Sequence, residues 1–90
     1  MITLSGTLTC KTPDDCRVIE TYLPEHIRLS RAEPGCLTFN VVQSGDPTVW
    51  HLDETYTDQA AFDAHQTRNR ASIWWEKSQR IVRNFKVTSD

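Results

Sequence analysis

The sequence predicts one α+β domain in which helices cover one face of a four-stranded antiparallel sheet. The first observation is length, because 90 residues provide a single domain, 1–90, where typical domains take roughly 100 to 150 residues. The second is the order of periodicities, which alternates between the two-residue repeat of strands and the 3.6-residue repeat of helices as β-α-β-β-α-β. The third is a short turn between the two middle strands, which favours an antiparallel hairpin.

The first strand and the first helix follow from local patterns. Residues 2–10 alternate apolar and hydroxyl side chains, as a half-buried strand does. Thr12 and Pro13 then provide an N-cap and a proline at the first helical position. The apolar stripe of the helix comprises Cys16, Ile19, Leu23 and Ile27, with Tyr22 and His26 beside it. Pro24 lies within this stripe, so we expect a kink in the turn that precedes it.

The middle of the chain predicts the hairpin. Glu33-Pro34-Gly35 ends the helix, and residues 36–43 alternate as a second strand. The residues expected on one face of this strand are Leu37, Phe39 and Val41. The turn Ser44-Gly45-Asp46-Pro47 leads into a third strand over 48–56. One face of that strand carries Trp50, Leu52, Glu54 and Tyr56, and the opposite face carries Val49, His51, Asp53 and Thr55.

The last third of the chain predicts a second helix, a short helical turn and a fourth strand. Thr57 or Asp58 is expected to cap the helix. Its inward ridge comprises Ala61, Phe62, His65 and then Arg68 or Asn69, and the short turn carries Ile73, Trp74 and Trp75. Residues 81–87 alternate as the fourth strand. This order is the split βαβ arrangement of ferredoxin-like folds, with the helices on one face of the sheet. Because the other face needs a cover, we expect a homodimer with two sheets packed around a barrel-like core.

Composition excludes several classes of protein. The net charge of −2 at pH 7 gives no electrostatic basis for binding nucleic acid. Basic residues are concentrated toward the C-terminus, so a local positive patch there remains an alternative. No apolar run is long enough for a membrane span or a secretory signal, so we expect a cytoplasmic protein. The three cysteines form no C-x-x-C pair, so we expect buried free thiols and no metal site. No phosphate-binding or dinucleotide-binding motif occurs.

Three stretches, Arg31–Phe39, Trp50–Tyr56 and Ala61–His65, resemble the antibiotic biosynthesis monooxygenase family of small dimeric α/β-barrel proteins. The similarity comprises an E-P-G-C entry into the second strand, an acidic-then-aromatic end to the third strand, and an A-H pair on the next helix. It implies oxygenation of a quinol-like or polyketide-like aromatic substrate by dioxygen, without a cofactor. A haem-degrading branch of the superfamily differs at three places, having an Asn on strand one, a Trp ending strand three and a His on the last helical segment. Haem degradation is therefore not expected.

The resemblance implies a site of eight residues. His65 is the expected base, since the unperturbed pKa of imidazole lies nearest neutrality. Glu54 is expected to orient His65, and Tyr56 completes the catalytic group. The expected substrate-binding residues are Trp50, Phe62, Arg68, Trp74 and His26, of which Arg68 would stabilise a phenolate or enolate. A buried Glu54 needs a partner, and His65, Arg68, Arg28 and Arg31 are the candidates.

A structural alternative remains for each of these residues. Packing explains His65 on an apolar ridge equally well, and a structural ion pair between strand and helix explains Glu54. Burial in the core explains the aromatic residues. His26 is as well explained by pairing with a backbone carbonyl that Pro24 leaves free. The alternative function is a non-catalytic, dimeric small-ligand-binding or stress-related module whose pocket is filled by Trp74 and Trp75. A cavity of roughly 300 Å³ or more opening onto His65 would favour the oxygenase.

Overall fold

A computed structural model describes all 90 residues and contains four strands and three helices. The strands are β1 (Ile2–Thr9), β2 (Cys36–Gln43), β3 (Val49–Tyr56) and β4 (Val82–Ser89). The helices are α1 (Pro13–Arg31), α2 (Gln59–Arg70) and α3 (Ile73–Lys77). The sheet has the order β2-β3-β1-β4 with every neighbouring pair antiparallel. The predicted ferredoxin-like α+β fold is thereby confirmed.

Side-chain caps set where the helices begin. The Thr12 side chain accepts a hydrogen bond of 3.2 Å from the backbone N–H of Asp15, and Asp58 accepts one of 2.8 Å from Ala61. The cap of α2 is therefore Asp58 and not Thr57. Helix α1 runs through Pro24 as one element. The kink before that proline stays a prediction.

The core lies between the sheet and the helices in two apolar clusters. The larger comprises Leu8, Cys10, Ile19, Leu23, Leu52, Trp74 and Ile81. The smaller comprises Ile2, Leu4, Tyr56 and Phe62. These residues include the inward positions of β1, β3 and α1 that the two periodicities predict. The clusters therefore fix which side of β3 faces the helices.

The prediction for Leu37 is wrong, because this side chain is 55 % exposed. The register of β2 against β3 shifts between Cys36 and Thr38, which is a bulge in the ladder. A bulge inserts one extra residue and so reverses the alternation of faces on one side of it. Cys36 consequently packs against the smaller apolar cluster while Leu37 turns outward.

The prediction of three free thiols is also wrong. Cys10 and Cys16 form a disulfide with their Cα atoms 5.4 Å apart, and Cys36 alone is free. The chain reverses direction between the end of β1 and the capped first turn of α1, which brings these two side chains together. The disulfide therefore ties the first strand to the first helix.

The face of the sheet turned away from the helices is largely polar. The register places Thr3, Ser5, Thr7, Asn40, His51, Asp53 and Lys86 on it. The Thr38 and Thr55 hydroxyls share a hydrogen bond of 2.7 Å there, and Val42 is 64 % exposed. No helix of the structure combines the length and the apolar character needed to cross a bilayer.

Candidate active site

A cavity of about 40 Å³ lies on the helix-covered side of the sheet. Its apolar lining includes Phe39, Leu52 and Trp74, and its polar lining includes Glu54 and His26. A volume of this size admits a hydroxyl group or a water molecule, whose share of liquid volume is about 30 Å³. It is far below the roughly 300 Å³ expected for a fused aromatic ring. His65 is absent from the lining, so the cavity expected beside that residue is not found.

Glu54 is the acidic group on the cavity wall. Its side chain lies on the inward face of β3 and is 4 % exposed. The Tyr56 hydroxyl donates a hydrogen bond of 2.6 Å to Glu54 Oε1. Burial raises the pKa of Glu54 to about 7, against the opposing effect of the Tyr56 hydrogen bond. Burial and the nearby Glu54 charge raise the pKa of Tyr56, so the tyrosine remains a donor at neutral pH.

His65 lies next to Glu54 but bonds to a different carboxylate. Its Nδ1 is 2.9 Å from Glu33 Oε1, whereas its Nε2 is 3.8 Å from Glu54 Oε1, which is longer than a hydrogen bond. The carboxylate that hydrogen-bonds to His65 is therefore Glu33 and not Glu54, the residue expected to orient it. Glu33 follows the end of α1, where the turn through Gly35 brings it against α2. Burial lowers the pKa of His65 despite the bond to Glu33, so the imidazole is neutral at pH 7.

Comparison with known proteins assigns the chain to a family. A model of the antibiotic biosynthesis monooxygenase family matches residues 1–77. The chain belongs to that family. No protein of curated function matches the sequence significantly.

Solved structures share the fold of this family member. A putative antibiotic biosynthesis monooxygenase from Deinococcus radiodurans is 18 % identical with a TM-score of 0.83, covering all of this chain and 92 % of that one. SnoaB from Streptomyces nogalater, a cofactor-independent oxygenase, is 11 % identical with a TM-score of 0.81, covering 99 % and 91 %. A Pseudomonas aeruginosa protein is 26 % identical with a TM-score of 0.71, covering 97 % and 88 %.

Three of the eight predicted site residues line the 40 Å³ cavity of this monooxygenase-family chain, namely Glu54, His26 and Trp74. The other two predicted catalytic residues, His65 and Tyr56, stand beside Glu54. The Phe62 ring packs edge-on against Tyr56 at 5.4 Å between centroids. The structure therefore groups six of the predicted residues around one carboxyl group.

The remaining two predicted residues lie elsewhere. Arg68 is held by Glu33, at 2.9 Å from its Nε, and by the Ser30 hydroxyl, at 2.8 Å from its Nη2. Arg68 does not line the cavity, and its guanidinium forms an ion pair with Glu33. Its role toward a substrate anion stays a prediction. Trp50 lines a separate depression of about 90 Å³ with Ile27 and Val41.

Sequence reasoning missed the polar residues contributed by the ends of α2 and β4. Gln66, Asn69 and Arg83 line the cavity together with Phe85. The Arg83 guanidinium lies 5.7 Å from the Trp74 ring, and its Nη1 donates to the Ser78 carbonyl at 2.9 Å. The register that pairs Arg83 with Leu8 and Phe85 with Gly6 sets these side chains on the helix side of the sheet. The alternation within β4 indicated this face, but nothing local showed that it borders a site.

His26 was predicted both as a pocket residue and as a partner for a freed carbonyl. Its ring is 5 % exposed and stacks on Trp74 with 5.9 Å between centroids. Its Nδ1 is buried and makes no hydrogen bond, so this atom does not pair with a carbonyl. Burial, followed by the charge of Arg68, lowers the pKa of His26 to about 3. No group of three or more His, Cys, Asp or Glu side chains is arranged to hold a metal ion.

Proposed function

We propose that this protein is a cofactor-independent monooxygenase of quinol-like or polyketide-like aromatic substrates, with Glu54 as the general base. The observation that carries this proposal is a single buried carboxyl group on the wall of a cavity, with its pKa raised by burial to about 7. A base is most effective when its pKa lies near the working pH, because it is then both ionised and basic enough to take a proton. Family membership and the structural likeness to a cofactor-independent oxygenase support the same reaction class.

The proposed reaction begins with proton transfer. Glu54 takes the proton of a phenolic hydroxyl, and the resulting phenolate gives one electron to dioxygen. The two radicals combine to form a C–O bond at the adjacent ring carbon. The hydrogen of that carbon then moves as a proton to the outer peroxide oxygen while the O–O bond breaks, and the departing hydroxide takes the proton held by Glu54 to form water. A hydroquinone and dioxygen thus give a hydroxyquinone and one water, with one oxygen atom in each product.

Tyr56 and His65 act on Glu54 and not on the substrate in this scheme. The Tyr56 hydroxyl donates to Glu54 Oε1 at 2.6 Å and so stabilises the ionised carboxylate. Neutral His65 is fixed through Nδ1 by Glu33, and its ring borders the Glu54 carboxyl group with Nε2 at 3.8 Å from Oε1, without a hydrogen bond between them. His65 is therefore proposed as a positioning residue, in place of the base that the sequence predicts.

The cavity accepts only the reacting hydroxyl group, so the aromatic ring must bind at its mouth. Phe85, which is 37 % exposed, offers an aromatic surface there. Arg83 is the cation that lines the cavity. It stabilises the phenolate through its positive charge, since its hydrogen bonds go to Ser78 and Ile81.

Oxygen uptake by metal-stripped protein with a panel of hydroquinones and anthrones tests the proposal. Glu54→Gln should reduce uptake by about 100-fold or more, while His65→Ala should reduce it less. Glu76→Gln, which changes an exposed carboxylate on α3, is the matched control and should retain full activity. Full activity in Glu54→Gln would overturn the role of Glu54, and no uptake with any substrate would overturn the oxygenase.

A non-catalytic binding module is the second candidate, and the position of Trp74 favours it. This side chain is 4 % exposed and packs in the larger apolar cluster, where it occupies space that a ligand would need. Trp75 does not line the cavity and instead faces Arg83 at 5.4 Å. A folded protein that consumes no oxygen, and whose tryptophan fluorescence does not respond to any quinone or anthrone, would support this candidate.

We also propose that the protein is a homodimer joined through the polar face of the sheet. Family members are generally dimeric, and Val42 and Val82 lie exposed on this face between hydroxyl-bearing residues. Light scattering at micromolar concentration should give about twice the chain mass of 10.4 kDa. A monomer would contradict the proposal.

A cytoplasmic location is proposed as well, and the Cys10–Cys16 disulfide provides its test. Disulfides are rare in reducing compartments. Cell fractionation should find the protein with cytoplasmic markers, and thiol alkylation of intact cells followed by non-reducing electrophoresis reports whether the Cys10–Cys16 bond is kept there. A fully oxidised pair would argue for an oxidising compartment.

A further inference from the structure

Two residues that line the cavity each have a buried polar side-chain atom with no hydrogen-bond partner in the protein. These atoms are Nδ1 of His26, on α1, and Oδ1 of Asn69, on α2. Buried polar side-chain atoms are normally paired, because an unpaired one has lost its hydration without gaining a hydrogen bond. Two such atoms in residues that line one small cavity indicate that the site is built for a polar group that enters it.

The chemistry of the two atoms restricts that group. The carbonyl oxygen of Asn69 only accepts hydrogen bonds, so the group must donate one. His26 is neutral at pH 7, because burial lowers its pKa to about 3, and its Nδ1 donates or accepts according to the tautomer. A hydroxyl group can donate to Asn69 and bond to His26 at the same time. A carbonyl oxygen has no proton to donate and cannot satisfy Asn69.

We propose that His26 and Asn69 form a hydroxyl-binding site that holds the phenolic O–H of a reduced aromatic substrate and discriminates against the corresponding quinone. This inference rests on the proposed function and names the redox form of substrate that the site takes. The volume of about 40 Å³ fits one hydroxyl group and not a ring. Glu54 lines the same cavity, so rotation of the bound O–H away from Asn69 turns its proton toward the proposed base before transfer.

The same pairing accounts for product release. In the hydroxyquinone product, the oxygen that was bound as O–H has become a carbonyl oxygen and can no longer donate to Asn69. A site built to bind a hydroxyl group rejects an analogue that lacks it, because the buried partner is left unpaired. The reduced substrate is therefore retained and the quinone leaves.

Calorimetric titration under anaerobic conditions tests the discrimination with three ring-matched ligands: 1,4-naphthohydroquinone, 1,4-naphthoquinone and 1,4-dimethoxynaphthalene. The hydroquinone should bind at least about 10-fold more tightly than the other two. This ratio is well below the largest discrimination that a site built to bind a hydroxyl group reaches. Asn69→Leu, which keeps a similar volume but removes the acceptor, should reduce this ratio to near one. Asn69→Asp keeps an acceptor oxygen and should retain the preference. Gln59→Leu, which removes an exposed amide on the same helix, is the control and should bind as the wild type does.

Oxygen uptake by the same variants separates this inference from the proposed function. Equal binding of the three ligands by the wild type, or an unchanged ratio in Asn69→Leu, overturns the hydroxyl-binding site. If uptake persists in that case, the oxygenase proposal stands without it. If the wild type neither binds the hydroquinone nor consumes oxygen with it, both proposals are overturned.

Discussion

Glu33 Oε1 lies 2.9 Å from His65 Nδ1, which joins the end of α1 to the middle of α2. A carboxylate only accepts hydrogen bonds, so Nδ1 carries the proton of the neutral imidazole. The unprotonated Nε2 then lies 3.8 Å from Glu54 Oε1. Arg68 bonds to the same Glu33 oxygen. Glu33, which does not line the cavity, thus sets the tautomer of His65, the residue next to the proposed base Glu54.

Replacing Glu33 with Gln should destabilise the protein by about 1–2 kcal/mol, because hydrogen bonds to charged groups contribute more than neutral ones. The Glu33 side chain is 17 % exposed and that of Arg68 is 30 % exposed, so solvent screens this pair only in part. Urea unfolding at pH 7 measures the loss. Glu25→Gln, which breaks the exposed pair between Glu25 and Arg28, is the control and should have little effect. Equal stability of the Glu33 variant and the wild type would contradict the structural role of this contact.

Glu54 should make the protein less stable as pH rises. Its pKa is raised by burial from 4.5 to about 7, so between these values the folded state holds a proton that the unfolded state has lost. The free energy of unfolding therefore falls with pH across this window, by about 3 kcal/mol in all at 1.36 kcal/mol per unit. Glu54→Gln should lack this fall and be more stable than the wild type at pH 8. Chemical unfolding from pH 4 to pH 8 measures it, and parallel curves for the two proteins would be the contrary result.

His26 should have the opposite effect. Its pKa is lowered by burial from 6.5 to about 3, so below pH 6.5 the unfolded state binds a proton that the folded state does not. Stability from this residue is complete above pH 6.5 and is lost as pH falls toward 3. His26→Leu should remove that loss. The free energy of unfolding of the variant, relative to that of the wild type, should therefore be higher at pH 4 than at pH 7. A pH profile that is unchanged by the substitution would show that His26 is not buried as a neutral ring.

Gly35 lies in the turn between α1 and β2 and packs against Ala61 of α2. A Cβ atom added there would lie 2.2 Å from the Cβ of Ala61, so one of the two backbones must move. Gly35→Ala should cost roughly 1–3 kcal/mol, as overpacking usually does, and should displace α2 with His65 on it. Gly45→Ala is the control, because nothing lies within 4 Å of its added Cβ. Loss of stability without loss of oxygen uptake would show that the position of α2 does not affect the reaction.

The sequence predicts the sheet and helices because two periodicities report which side of each element is buried. The inward positions of β3 follow from a strict two-residue alternation. Glu54 is predicted as a site residue because it is a carboxylate among apolar residues on that face. The bulge at Leu37 breaks this logic, because a one-residue insertion reverses the faces and leaves no mark in composition.

The tertiary partners within the site are not predictable in the same way. Glu33 precedes a Pro-Gly turn, so its local pattern indicates only the end of a helix. Its side chain nevertheless bonds to His65, 32 positions away. Arg83 and Asn69 reach the cavity only through the antiparallel register of β4 and the packing of α2. Such contacts depend on the relative placement of elements, about which local patterns carry no information.

The Cys10–Cys16 disulfide should stabilise the protein by about 2 kcal/mol, since closing a loop of this length removes conformational entropy from the unfolded chain. Cys10 lies in the larger apolar cluster with Trp74, and Cys16 begins the stripe of α1 that leads to His26. Adding a reductant should therefore lower the free energy of unfolding of the wild type. Cys16→Ala has no bond to reduce and should be insensitive to the same treatment, whereas Cys36→Ala should respond as the wild type does. Because the bond fixes the first turn of α1 and not the cavity wall, oxygen uptake below the unfolding transition should survive reduction. Loss of uptake in folded, reduced protein would instead show that the position of α1 controls the site.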